Sequence, residues 1–387
     1  MAAEIKTIPT VVPTAETPNE VRQANSQKHD LDNAPDADDP AIYLHPENPE
    51  RSFVIGSFKN GGLRIYNLKG EEIESVTPPN IRYNNVDIAY GVEYSSQVAG
   101  ETATVDLAIA SDRANDTIAI FAINPQGSNS QLPGGKILTD VTSVNIPQSI
   151  FGVDDGEATA YGLATYTSPS DRQTYVFVSQ ADGDRVAQLK LEVGLGAADG
   201  LEVNAKVVRI LQVPVPQGKD PADYQVEGMV VDRQTGELYL AQEEFGIWKY
   251  NAEPNSDEEP ILVDTVERSN LTADIEGLTM YYGEDGKGYL LASSQGDNTF
   301  AIYNRAGDNS YLGSFAIARV EQTDGLDVIN TPLGENYPAG LLVVQDGNNE
   351  LETDSADSQD GNTKQFNTNF KFVSLADLNN VFPNLSI

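Results

Sequence analysis

Cysteine is absent from the 387 residues, and histidine occurs only twice, as His29 and His45. The first absence removes disulfides, thiolate zinc sites and cysteine nucleophiles. The second leaves oxygen ligands, Lys, Arg and Tyr to do whatever chemistry there is, which favours hard cations such as calcium over zinc. Positive charge is also scarce. Against 59 acidic residues stand 24 basic ones, a formal net charge of −35, which opposes binding to nucleic acid or to an anionic membrane surface. An anionic ligand would need a local source of positive charge. No apolar run reaches 18 residues, so no membrane-spanning helix is expected.

What is abundant is β-type sequence punctuated by turns. Residues 1–27, rich in Thr, Pro and Ala and without a period, read as a flexible leader, in keeping with a secreted protein whose signal peptide is missing from this sequence. From residue 28 to 387 one layout recurs: an apolar run, a polar turn, a second apolar run. "FVIGSFKNGGLRIYNL", "LAIASDRANDTIAIFAI", "YVFVSQADGDRVAQLKL", "LYLAQEEFGIWKYNA" and "YLLASSQGDNTFAIYNR" are followed by "LLVVQDGNN" with its return run "NTNFKFVSL". Taking Leu63, Ile118, Val186, Ile247, Phe300 and Phe370 as matched positions, the spacings are 55, 68, 61, 53 and 70. A further short β-like segment precedes most hairpins: "DDPAIYL", "NNVDIAY", "YGLATY", "EGMVVD", "EGLTMYY" and "DGLDVI". Six such units predict an all-β, six-bladed β-propeller in one closed domain. A sandwich or tandem small β domains would not predict six copies of one layout.

Equivalent blades put equivalent residues on one face. The positions after the first hairpin strand hold Lys59, Arg113, Asp182, Glu243, Gln295 and Asp346; those opening the preceding strand hold Asp39, Asp87, Tyr161, Glu227, Glu276 and Asp324. The two sets would form a bowl of carboxylates with a few cations at its edge. A single acid in such a chain is ordinarily a solvated turn residue. Acids converging from several blades repel one another unless a cation lies between them. Asp32 and Asp36 read as solvated leader residues, and Glu350 to Asp360 as a solvated acidic loop without EF-hand spacing. His45, inside "AIYLHP", reads as structural. No phosphate-binding glycine loop, serine triad or histidine flanked by arginines is present. Lys59 and Arg113 stand out as two cations at matched positions of adjacent blades, suited to clamp a phosphoryl group.

At these residues the chain closely resembles the β-propeller phytases, also called alkaline phytases. The strings "DADDPAIYLHPENPERSFVIGSFKNGGLRIYNLKG", "NNVDIAYG", "EGMVVDRQTGELYLAQEEFGIWKY", "DIEGLTMYYGEDGKGYLLASSQGDNTFAIYNRAG", "TDGLDV" and "VVQDG" carry the resemblance over about residues 28 to 375. It implies a secreted enzyme that requires several calcium ions and releases phosphate from myo-inositol hexakisphosphate, preferably as its calcium complex, in the manner of a 3-phytase. The family's calcium-binding positions fall on Asp38, Asp39, Glu227, Glu243, Asp274, Glu276, Gln295, Asp324 and Asp346, and its phosphate-holding groups on Lys59, Arg113 and Tyr161. One departure is visible: "VSQADGDR" places Ala181 where many members have a lysine and Asp182 where they have a glutamate, with Arg185 as a nearby substitute cation.

The expected mechanism is attack on phosphorus by a calcium-bound water, oriented by Asp182 or Glu227, while Lys59, Arg113 and Tyr161 hold the phosphoryl oxygens. Arg185 with Lys28 or Arg82 would line a neighbouring phosphate site. The partner is the small-molecule substrate, with no nucleic acid and no membrane, and the chain is expected to be monomeric. Two alternatives remain open: a calcium-stabilised propeller that binds inositol phosphates or a protein partner with little turnover because of Ala181, and another calcium propeller hydrolase such as a lactonase.

Overall fold

In the computed structural model, residues 8–23, 35–95, 101–127, 135–152, 159–196, 200–349 and 365–382 are described. Lys28, His29, Asp32 and the acidic run from Glu350 to Asp360 lie outside them. Six antiparallel sheets follow one another along the chain and form six blades. Their innermost strands are Asp36–Tyr43, Tyr83–Ser95, Leu163–Thr167, Val226–Asp232, Ile275–Tyr282 and Leu326–Ile329. Each is hydrogen-bonded to the next strand outward, respectively Phe53–Lys59, Thr102–Asp112, Thr174–Ser179, Glu237–Gln242, Gly288–Ser294 and Leu341–Asp346. The sequence explains the layering. The second strands are near-continuous apolar runs buried on both faces, as "FVIGSF" is, because a blade lies against each side. The outer strand Leu201–Gln212 is buried only at Val203 and Ala205 and then alternates partly buried and exposed residues.

Burial is organised by junction. Among the described residues six hydrophobic clusters occur, each spanning two neighbouring blades, and the sixth joins Ile42, Val54 and Phe58 of blade 1 to Leu341, Val343 and Phe370 of blade 6. Serines stitch the same junctions at the upper end. Ser111 Oγ donates to the Tyr161 carbonyl of the next blade at 2.6 Å and accepts the Asn85 N–H of its own blade at 3.0 Å.

The flexible leader is corrected by the structure over residues 8–23. Thr10–Val11 pairs in parallel with Tyr311–Ile317 of blade 5, while Ala15–Glu16 and Glu20–Gln23 pair with Gln365–Ser374, the outer strand of blade 6. Strands of two to four residues are too short to show a period. They are held by the edge they complete, which would otherwise present a row of unpaired backbone groups. Asp36 is corrected as well: it is buried and opens the first inner strand opposite Lys59. His45 is buried and structural, its Nδ1 accepting the N–H groups of Glu47 and Asn48.

Candidate active site

At the N-terminal end of the inner strands the register shifts. In blades 1, 2, 4 and 5 two residues bulge out of the ladder, between Ala37 and Pro40, Tyr83 and Val86, Val226 and Met229, and Ile275 and Leu278. The bulge aims the first of each pair toward the channel. Counting by register, the equivalent residues of the six blades are Asp38, Asn84, Tyr161, Glu227, Glu276 and Asp324. This corrects two positions: Asp39 lies one residue below the ring, and Asp87 three below Asn84. In four blades the next residue is glycine, for a steric reason. A Cβ on Gly162 or Gly228 would stand 1.9 Å from the carbonyl oxygen of Glu227 or Glu276 in the following blade.

The second ring is set by the ends of the second strands. Lys59, Arg113, Glu243 and Gln295 are register-equivalent, and the matching residues of blades 3 and 6 are Ala181 and Gly347. Asp182 therefore sits one step past the ring. It is exposed, its backbone turns through φ 51°, and its N–H donates to Gln225 Oε1. Asp346 sits one step short of the ring. Its carboxylate is buried, accepts the N–H of Glu321 and lies 3.4 Å from the buried Lys371 ammonium. No described contact brings Asp346 to the other acids.

The remaining side chains converge. Glu227, Glu243 and Glu276 each offer an oxygen, all within 4.8 Å of one another. Glu227 accepts from Asn84 Nδ2 at 2.7 Å and from the Tyr161 hydroxyl at 2.5 Å, so its two oxygens tie blades 2 and 3 to blade 4. Glu243 accepts both bonds from Gln225 Nε2 at 2.9 Å. Asp324 accepts from Gln295 Nε2 at 2.8 Å. Asp274 lies close to Glu244 and adds to the negative field at Glu243. Lys59 bridges blades 1 and 6, 2.5 Å from Asp38 and 3.3 Å from Asp324. The Arg113 guanidinium lies 5.0 Å from the centre of the Tyr161 ring. Arg185 is directed elsewhere, donating to Gln180 Oε1 and covering the Phe151 ring.

Electrostatics reflect this crowding. Burial, then the neighbouring Glu227 charge, pushes the Glu243 carboxyl up to about 8. Burial and the Glu227 and Glu243 carboxylates push Glu276 well above its usual range. Asp324 is raised by burial to about 7 even with Lys59 beside it. Burial likewise pushes Asp38 well up against the pull of Lys59. Lys59 is opposite in sense: burial opposes its charge, but Asp38 and Asp324 hold it firmly protonated.

Such a ring fits a hard cation. Asp38 Oδ1, Asn84 Oδ1 and Glu276 Oε2 are buried without a hydrogen-bond partner, and the donors are carboxylate and amide oxygens throughout. Asn84 and Gln225 are the polar residues that sequence reasoning missed. The signal for Asn84 was its place in "NNVDIAY", one residue ahead of the position that is glycine in other blades.

Comparisons with known proteins agree in kind with these observations. The sequence-family description named Phytase matches residues 5–385. The "3-phytase" of Bacillus subtilis (strain 168) is 36% identical over 346 residues, covering 87% of this chain and 79% of that protein. Two crystal structures of BBS1N in complex with ARL6DN, soaked with lead and with mercury, align at TM-scores of 0.41 and 0.42 with 12% identity. They cover 78% and 81% of this chain and 73% and 74% of theirs; likenesses this distant carry no argument about function. Among the described residues no helix is long and apolar enough to cross a membrane.

Proposed function

Because the chain belongs to the phytase family, we propose that it is a calcium-dependent phosphomonoesterase of the 3-phytase type, hydrolysing myo-inositol hexakisphosphate as its calcium complex at the channel mouth. The observation that carries this reading is the juxtaposition, in a protein of net charge −35, of a buried carboxylate ring with two cations at its rim. Asp38, Glu227, Glu243, Glu276 and Asp324, with the Asn84 amide oxygen, would hold calcium, and Asp39, Asp274 and Gln295 would support them. Bound calcium would reverse the local field and lower the pKa of water.

The chain's own groups supply the rest. Lys59 contributes a compact charge to a phosphoryl oxygen, and Arg113 a planar fork braced by the Tyr161 ring. Tyr161, whose proton burial and Glu227 hold well above the usual phenol range, donates a hydrogen bond and does not ionise. Glu227 is buried and fixed by Asn84 and Tyr161, which suits it to orient the attacking water and accept its proton. Asp182, exposed at the rim, is the second candidate for that task. Secretion and a monomeric state complete the reading.

The decisive experiment is phosphate release from phytate with calcium titrated in between about pH 6 and 9. Release that rises with calcium and stops on chelation supports the reading; no release at any point in that range would sink it.

A further inference from the structure

Blades 1 and 6 come from opposite ends of the chain, yet Asp38, Asp324 and the Lys59 ammonium meet where they join. Next to this trio lies Gln345, on the second strand of blade 6 and 1% exposed. Its register is that of Ser57, Ser111 and Ser293 in blades 1, 2 and 5, whose hydroxyls each donate to one carbonyl of the following blade, at Asn84, Tyr161 and Thr323. Gln345 makes the same stitch, its Nε2 donating to the Ala37 carbonyl at 3.0 Å, and then does more. Its Oε1 accepts the Asp324 N–H at 2.8 Å, and Nε2 reaches Asp324 Oδ2 at 3.4 Å. That same Oδ2 is 3.3 Å from Lys59 Nζ. The Gln345 N–H donates to the Gly325 carbonyl at 2.9 Å, and the Gly325 N–H to the Asp38 carbonyl at 3.1 Å. One buried amide is thus bonded to the peptide that leads into Asp38 and to both the backbone and the carboxylate of Asp324.

We propose that Gln345 is a positioning residue: it fixes the separation of Asp38 and Asp324, and through them the calcium donors at this junction and the place of the Lys59 ammonium. The proposal rests on the phosphomonoesterase reading above, and Gln345 itself touches no substrate. A primary amide of this length suits all three contacts. Turned over, its NH2 would face the Asp324 N–H and its oxygen the Ala37 carbonyl, so the amide has one working orientation. A serine here could reach one partner. A glutamate would keep the acceptor, lose the donor and set a further carboxylate against Asp324.

The test measures phosphate release from phytate in saturating calcium for Gln345→Met and Gln345→Glu, each alone and in a Lys59→Ala background, and calcium affinity by calorimetry on the full chain. Gln345→Met keeps the length of the side chain without its hydrogen bonds. It is expected to lower kcat about thirtyfold with KM within about threefold, and to weaken calcium binding about tenfold. In the Lys59→Ala background the same change should cost less than about threefold in kcat, because the group it positions is gone; a merely structural loss would repeat in full. Gln345→Glu, which lacks the donor, should match Gln345→Met. Circular dichroism checks folding, and if Gln345→Met does not fold, Gln345→Asn, with the same amide on a shorter stem, takes its place under the same criteria. Equal losses of kcat in both backgrounds, or calcium affinity within about twofold of the unaltered protein, overturns the proposal. Failure of the unaltered protein to release phosphate would instead refute the enzyme reading, while the calcium titration still decides the role of Gln345.

Discussion

The two ends of the central channel are both rich in carboxylates, yet only one is built to take a cation. At the upper end Asp38 and Glu276 keep buried oxygens without partners, and three glutamates face one another. Below the ring the inner strands line a cavity of about 640 Å³ that includes Asp87, Asp106 and Asp327. There each acid is already satisfied. Asp327 accepts the N–H of Ile42 at 2.8 Å and the Thr279 hydroxyl at 3.0 Å, tying blade 6 to blades 1 and 5. Asp87 accepts the N–H and hydroxyl of Thr165 in blade 3, and Arg233 lies 3.5 Å away. Asp106 accepts from the Tyr43 hydroxyl at 2.6 Å and the Gly91 N–H at 2.7 Å. The lower acids are inter-blade braces, and the upper ones are donors in want of a cation. Unspent lone pairs, and not acid count, separate them.

Substitution at the two ends should therefore diverge. Lys59→Ala or Glu227→Gln is expected to lower phosphate release from phytate by about a hundredfold to ten-thousandfold, whereas Asp327→Asn should leave the rate within about threefold; comparable losses at both ends would erase the distinction. Removing calcium from the native protein should cost about 2.7 kcal/mol for each site that had been held at a hundredfold excess over its dissociation constant. Thermal melts with and without chelator check this, and the calcium-dependent gain should shrink in Glu276→Gln but persist in Asp327→Asn. In urea titrations Asp327→Ala should lose about 1 to 3 kcal/mol with or without calcium, because it leaves a buried N–H unpaired.

The smallest expected effect is on the pH dependence of the chelated protein. Glu243 is raised to about 8 and Asp324 to about 7, so folding favours their protonated forms. Their stabilising contribution is complete below the ordinary carboxylate pKa and is lost as pH rises through these values. Metal-free protein should accordingly melt lower at pH 8.5 than at pH 5, and saturating calcium should reverse the trend. Asp327, raised by burial to about 6, should lose its contribution at lower pH and ignore calcium. A melting temperature of the chelated protein that climbs steadily from pH 5 to 8.5 would contradict the assignment.

The propeller was legible because its hairpins are built from apolar runs buried on both faces. The matched positions Leu63, Ile118, Val186, Ile247, Phe300 and Phe370 all sit at one register, opposite Ser57, Ser111, Ser179, Ala241, Ser293 and Gln345. The inner strands were harder to place. Their bulges insert a residue that leaves no mark in composition, which is why Asp39 stood in for Asp38 and Asp87 for Asn84. At the register of the upper ring blades 3 and 6 carry the uncharged Ala181 and Gly347, so the acids beside them, Asp182 one residue later and Asp346 one residue earlier, stood in for them. Residues 8–23 went unread because short strands added to another blade's edge have no pattern of their own.

By itself the sequence determined the chemistry available. A chain without cysteine, with two histidines and 59 acids, must build a many-liganded metal site chiefly from oxygen, and six copies of one hairpin fit a closed ring. Tertiary structure alone decided which acids matter. Burial and hydrogen bonding depend on what neighbouring blades bring within reach, so identical carboxylates become a brace at Asp327 and an unsatisfied donor at Glu276. Neither outcome is encoded in the residue or in its immediate neighbours along the chain.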